Sequence, residues 1–142
     1  MSEQNYKNHS RYTIQWHFLT GGAVIAVIIG SIINLVNSSK DNLYSASLLV
    51  LVSLILASLF WYARAFALRA QDRAIRAEEN FRHYILTGKP FDSRIRMSQI
   101  IALRFASDEE FSALTKRAIS EGMKSSEIKK AIKSWRGDYH RA

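Results

Sequence analysis

Two histidines stand on either side of Trp16, at positions 9 and 17, just where the chain enters a long apolar stretch. An imidazole held at the edge of a membrane is costly to bury and can relay protons or bind a lipid head group. The plainer reading places His17 at interface depth, hydrogen-bonded to backbone, Gln15 or lipid phosphate. Asp108, Glu109 and Glu110 form the one acidic run that could do general acid–base work. Ser107 with Glu110 three positions on already reads as a capping box, with Asp108 and Glu109 in the favourable first turn of a helix. Gly88-Lys89 lacks both the earlier glycine and the following Ser or Thr of a phosphate-binding loop. The chain has no cysteine, which removes disulfides, thiolate nucleophiles and Cys-based zinc sites. The residues therefore predict no catalytic group, no metal site and no cofactor, and the chain reads as a non-enzyme.

The elements that would position these residues are set by charge. No Lys, Arg, Asp or Glu occurs from Tyr12 to Ser39, nor from Asn42 to Ala63, and about 20 mostly apolar residues cross a bilayer as a helix. Two spans are predicted, at about 15–36 and 43–63, joined by the short polar loop 37–42. The first run is too long for a signal peptide and a second follows it, so it reads as uncleaved. Lys7 and Arg11 precede the first span, the loop carries Lys40 beside Asp41, and Arg64, Arg69, Arg73 and Arg76 follow the second. Basic residues near the membrane stay cytoplasmic, which puts both termini of this multi-pass chain in the cytoplasm and the loop outside a bacterial inner membrane. From Arg64 onward 17 Lys and Arg oppose 10 Asp and Glu, so this part holds +7 of the formal +8. The loop is too short for an extracytoplasmic domain, so function is expected in the membrane or the cytoplasm.

Aromatic rings mark the interfaces: Tyr12, Trp16, Trp61 and Tyr62 at the inner ends, Tyr44 at the outer side. His17, Arg64 and Arg69 join them as candidate lipid contacts, with Arg64 snorkelling to phosphate. Gly22, Ala26 and Gly30 recur at four-residue spacing, a stripe that lets another helix approach closely, and Asn34 continues it with an amide able to hydrogen-bond across helices.

No Gly or Pro interrupts Asn42 to Thr87, and Ala65 to Leu86 is rich in Ala, Arg, Glu and Leu, which favour helix. The second span is expected to continue as a cytoplasmic stalk over 64–87, roughly 65 Å from Tyr44 to Leu86 at about 1.5 Å per residue, with Glu78 and Glu79 spaced to meet Arg82 and His83 on its polar faces. Thr87, Gly88, Lys89 and Pro90 end it. Residues 88–142 read as a basic three-helix domain. Asp92 or Ser93 caps a helix ending near Phe105. A second helix starts at Ser107, buries Phe111, Leu114, Ala118 and Ile119, and closes at Gly122. A third starts at Ser125 or Ser126 and repeats Ile128, Ala131, Ile132 and Trp135 at helical spacing. The fold class is an all-α membrane protein: a two-helix transmembrane hairpin, a stalk, and a small three-helix cytoplasmic domain above the N-terminal segment 1–12. So small a domain has a thin core and is expected to lean on membrane, stalk or partner.

The block Gln4-Asn5-Tyr6-Lys7-Asn8-His9-Ser10-Arg11-Tyr12, with His17-Phe18, resembles the opening of a bacterial family of short, uncharacterised two-span membrane proteins. Leu86-Thr87-Gly88-Lys89, Ala102 to Glu110 and Ile128 to Tyr139 are similar to that family's later blocks. The resemblance implies the architecture and brings no activity or site residues with it.

Lys124, Lys129, Lys130, Lys133 and Arg136, interleaved with Trp135 and Tyr139, form a basic surface. Near an anionic leaflet each such residue attracts lipid by about 1 kcal/mol, and the aromatics suit RNA stacking. The expectation is a non-enzymatic, membrane-anchored interaction protein, an accessory subunit of a larger inner-membrane complex or a homo-oligomer. Its partners are the lipid bilayer and a membrane protein or a second copy, with the ribosome a further candidate and no small-molecule substrate. The alternative is a homo-oligomeric channel or transporter-like assembly lined by Ser47, Ser53, Ser58 or Asn34, against which stands the scarcity of polar residues on any one face of a span.

Overall fold

The computed structural model describes Asn5, Tyr6 and residues 13–138; Lys7, His9, Arg11, Tyr12, Tyr139 and Arg141 lie outside them. Among the described residues the chain is all-helical. A π-helical turn, Gln15–Thr20, leads into α1 (Gly21–Val36), followed by α2 (Leu43–Thr87), α3 (Met97–Leu103), α4 (Asp108–Ser120) and α5 (Ser125–Ala131), and a lone antiparallel bridge joins Ala106 to Trp135. The chain divides into two compact units, one of Arg11–Phe66 and one of Ala67–Ala142 with Met1–Ser10.

In the first unit, α1 and the first half of α2 run antiparallel. Gln15–Val36 and Leu43–Thr87 are both long and apolar enough to cross a membrane, with windows of mean hydropathy 2.2 and 2.3. The turn between them is built by side chains on orphan carbonyls: the Asn37 amide donates to Ile33 O at 2.8 Å and the Ser38 hydroxyl to Asn34 O at 2.7 Å. The less exposed positions are Gly21, Val24, Ile28, Ser31 and Leu35 on one helix and Ala46, Val50, Ser53, Ala57 and Phe60 on the other. Both sets alternate three- and four-residue steps, the spacing of knobs-into-holes packing. Ser31 donates to Ser53 Oγ at 3.2 Å across the seam, and Trp16 stacks on Phe60 with centroids 4.5 Å apart. Gly21 faces the same ring: a Cβ there would lie 3.6 Å from Phe60 Cζ, an ordinary van der Waals contact.

In the second unit, Ile75 of α2 joins Ile95, Ile100, Leu103, Phe105, Phe111, Leu114, Ala118, Met123, Ile128 and Ile132 in one core. Gly88 ends α2 at φ +70° and Gly122 follows α4 at φ +63°, the left-handed conformation that glycine adopts without steric cost. The Gln99 amide binds the whole together, donating to Ala118 O at 2.8 Å and Met123 O at 3.0 Å while accepting from Arg96 N at 2.9 Å.

Three local expectations differ from what forms. The third helix begins at Met97, capped by Gln99 on Arg96, because Asp92 is engaged in a turn that accepts from Arg94 N at 2.9 Å and from the Arg94 guanidinium at 2.7 Å. Ser107 is the N-cap of α4, but Glu110 does not complete a capping box. Its carboxylate accepts from Lys133 N at 3.1 Å and Ser134 N at 3.0 Å. The last helix stops at Ala131, with Ile132 extended at ψ 124°. Trp135 therefore sits on a strap paired to Ala106, where Ser107 N donates to Ser134 O at 3.1 Å and Arg136 N to Phe105 O at 2.7 Å.

Candidate functional site

The predicted small-residue stripe does not join the two apolar helices. Gly22, Ala26, Gly30 and Asn34 are all exposed, and a Cβ added at Gly22 or Gly30 would meet nothing within 4 Å. The hairpin closes through the adjacent register, one residue and about 100° around the helix, because that register brings Gly21 under Phe60 and lets Ser31 satisfy Ser53. The stripe is left facing outward.

At the other end of the hairpin, the His17 ring nitrogen Nδ1 lies 2.9 Å from Thr13 O, so the imidazole is tied to its own backbone within the π-helical turn. Trp16 is spent on Phe60, Trp61 is exposed, Arg64 is half-buried and Arg69 is exposed. His9 lies outside the described residues.

The basic surface is brought together in part. Lys124, Lys130, Lys133 and Arg136 are exposed, whereas Lys129 is half-buried with its ammonium 5.6 Å from the Phe105 ring centre. Trp135 is half-buried and packs on Phe105 with centroids 5.2 Å apart. Tyr6 is a further aromatic on this surface, 5.8 Å from Lys130 Nζ, and with Lys124, Ser125, Ser126 and Lys129 it lines a hollow of about 460 Å³. Its signal in the sequence is an aromatic ring among the polar residues that precede the first apolar run.

The sequence spaces Glu78 and Glu79 to meet Arg82 and His83 but does not show the charge centre that forms around Arg82. Its Nε donates to Asp108 Oδ1 at 2.7 Å, Nη1 to Glu79 Oε2 at 3.1 Å and Nη2 to Ala106 O at 2.7 Å, and the guanidinium carbon lies 4.3 Å over the Phe111 ring. One side chain thus ties α2 to the start of α4. Glu79, expected on a solvated face, is only 7% exposed, and burial pushes its pKa up against the opposing pull of Arg82. Asp92 goes the other way, held down at about 2 by the hydrogen bonds of Arg94, and the Ser107 hydroxyl lowers Glu109.

A recess of about 620 Å³ in this unit is lined by His83, Thr87, Lys89, Asp92, Arg94, Thr115 and Lys116 among others. His83 Nδ1 is 2.8 Å from Lys89 O and its ring packs on Phe91 at 4.6 Å, so the imidazole braces the loop after α2. Lys89, Lys116 and the Arg94–Asp92 ion pair supply the charged groups of this mostly apolar recess. Among the described residues no three His, Asp or Glu side chains converge as they would around a metal.

No curated protein and no solved structure matches this chain. One family profile does, over residues 1–142: the chain belongs to DUF6526, a family of unknown function.

Proposed function

We propose that this chain is a non-enzymatic, membrane-anchored interaction protein of the bacterial inner membrane, in which α1 and the first half of α2 form a transmembrane hairpin and the Ala67–Asp138 region lies in the cytoplasm as the docking part. One observation carries the reading. Only 6% and 11% of the two apolar windows are buried, where the core helix of a water-soluble domain would be buried over most of its length. Ile25, Ile29, Ile33, Leu49, Leu51 and Leu54 are each about half exposed or more, a surface that water does not tolerate and hydrocarbon does. The polar groups inside the hairpin, Ser31 and Ser53, satisfy each other and neighbouring carbonyls, which favours an anchor over a conducting path.

The docking part is basic and meets its partner on an anionic surface, lipid head groups or an acidic subunit of the same membrane complex. Tyr6 beneath Lys130 supports a topology with both ends of the chain on one side. Alkaline carbonate washing of membranes tests the anchor: the chain is expected to stay in the pellet, and release into the supernatant overturns it.

A further inference from the structure

α2 carries a second apolar seam on the face turned away from its own domain. Ala67, Ala70, Ala74, Ala77, Phe81 and Tyr84 alternate three- and four-residue steps, and all six are exposed, with Phe81 at 66% and Tyr84 at 53%. The residues that dock α2 on its domain, Ile75, Glu79 and Arg82, lie on the opposite side of the same helix. Exposed apolar side chains at heptad a and d positions are the seam of a coiled coil.

The flanking charges say what covers it. With Ala67, Ala74 and Phe81 at a and Ala70, Ala77 and Tyr84 at d, Arg73 stands at g and Glu78 at the e position five residues on. Those two positions face each other between the helices of a parallel, in-register pair, so two identical chains make the Arg73–Glu78 pair twice. Arg73 sits in no ion pair within its own chain among the described residues, and neither does Glu78.

We infer that the Ala67–Tyr84 face of α2 is the self-association surface of this protein, pairing with the same face of a second copy in parallel. The direction rests on the membrane reading above, since two copies anchored by the same hairpin send α2 out on the same side. Four alanines at the seam allow a close approach of the two helices. The seam is short for an isolated coiled coil, and co-anchoring raises the effective concentration that a short seam needs.

The chain has no cysteine, so single cysteines report the seam directly in the full chain. Ala74→Cys and Ala77→Cys, oxidised in native membranes, are expected to give a disulfide dimer of twice the chain mass, several-fold more than Arg76→Cys, which is exposed and off the seam. Arg73→Glu and Glu78→Arg are each expected to reduce the Ala77→Cys dimer, and the double reversal to restore it. At about twofold to fivefold per exposed pair, two symmetric pairs amount to roughly 4- to 25-fold in association. Equal crosslinking at positions 74, 76 and 77, no crosslinking, an adduct to a different protein, or failure of the double reversal to rescue overturns the inference. Carbonate extraction run on the same samples separates the two readings. A pelleted chain without seam crosslinks sinks the seam alone, and a released chain that still crosslinks at 74 and 77 sinks the anchor alone.

Discussion

Replacing Arg82 with methionine keeps most of the side chain's apolar stem and removes three hydrogen bonds at once. The bond to Asp108 reaches a carboxylate that is 62% exposed, so screening by water limits its worth to under about 1 kcal/mol. The other two end on buried groups, the Glu79 carboxylate and the carbonyl of fully buried Ala106. Leaving a buried charge without its partner costs about 3–5 kcal/mol. The unit of roughly 70 residues has about 4–11 kcal/mol of total stability at the usual 0.05–0.15 kcal/mol per residue, so Arg82→Met is expected to remove a large share of it. Because the carboxylate left behind causes most of the loss, Glu79→Gln in the Arg82→Met background should recover about 1–3 kcal/mol. The pH dependence carries a definite sign. Glu79 has a folded pKa above its unfolded value near 4.5, so its protonated form favours folding: its own contribution to stability is fully present below 4.5 and is lost as pH rises through the folded pKa. Arg82→Met should steepen that fall and be least harmful near pH 4. Pulse proteolysis of the full chain in mild detergent across a urea series measures each variant. A loss under about 0.5 kcal/mol, or equal stability of Arg82→Met and Glu79→Gln/Arg82→Met, would refute the network as described.

Gln99→Leu strands the Ala118 and Met123 carbonyls in the core and is expected to cost about 2–4 kcal/mol, read by the same proteolysis. Glu110→Ala releases two strap amides that its carboxylate holds, so hydrogen exchange at Lys133 and Ser134 should speed up with a loss of about 1–2 kcal/mol, while exchange in α1 stays unchanged. Charge reversal at Lys124, Lys130 and Lys133 is expected to abolish binding of the chain in nanodiscs to vesicles rich in anionic lipid and to weaken co-purification of an acidic partner. Unchanged capture of both shows the face to be merely solvated.

The helices were legible where one residue type decides the outcome. The charge-free runs delimit α1 and the first half of α2, Gly88 and Gly122 mark their turns through a left-handed backbone, and Phe111, Leu114 and Ala118 face the core as the helical period requires. The failures arise where one side chain has two partners to choose from. Glu110 stands at the right distance for a capping box, yet two strap amides more than twenty residues away in sequence offer it better company. Trp135 continues the periodicity of α5, but the chain has already turned extended at Ile132, and the ring fills space beside Phe105. The small-residue stripe Gly22, Ala26, Gly30 and Asn34 faces outward, one position away from the register that α1 and α2 share, and Gly21 and Gly22 are indistinguishable in sequence. The pairing of Arg82 with the glutamates one turn before it was legible in the helical spacing, whereas its other partners, Asp108 and Ala106, are distant in sequence and are brought to it only by the packing of α2 on the start of α4.

The proposal that the hairpin crosses a membrane is tested most directly by single cysteines at its two ends in this cysteine-free chain, Ser38→Cys in the turn between α1 and α2 and Ser126→Cys in α5. With intact spheroplasts and an impermeant maleimide, a membrane-spanning hairpin gives labelling at position 38 from outside, and labelling at position 126 only after the membrane is opened. Labelling of both positions, or of neither, before the membrane is opened would contradict it.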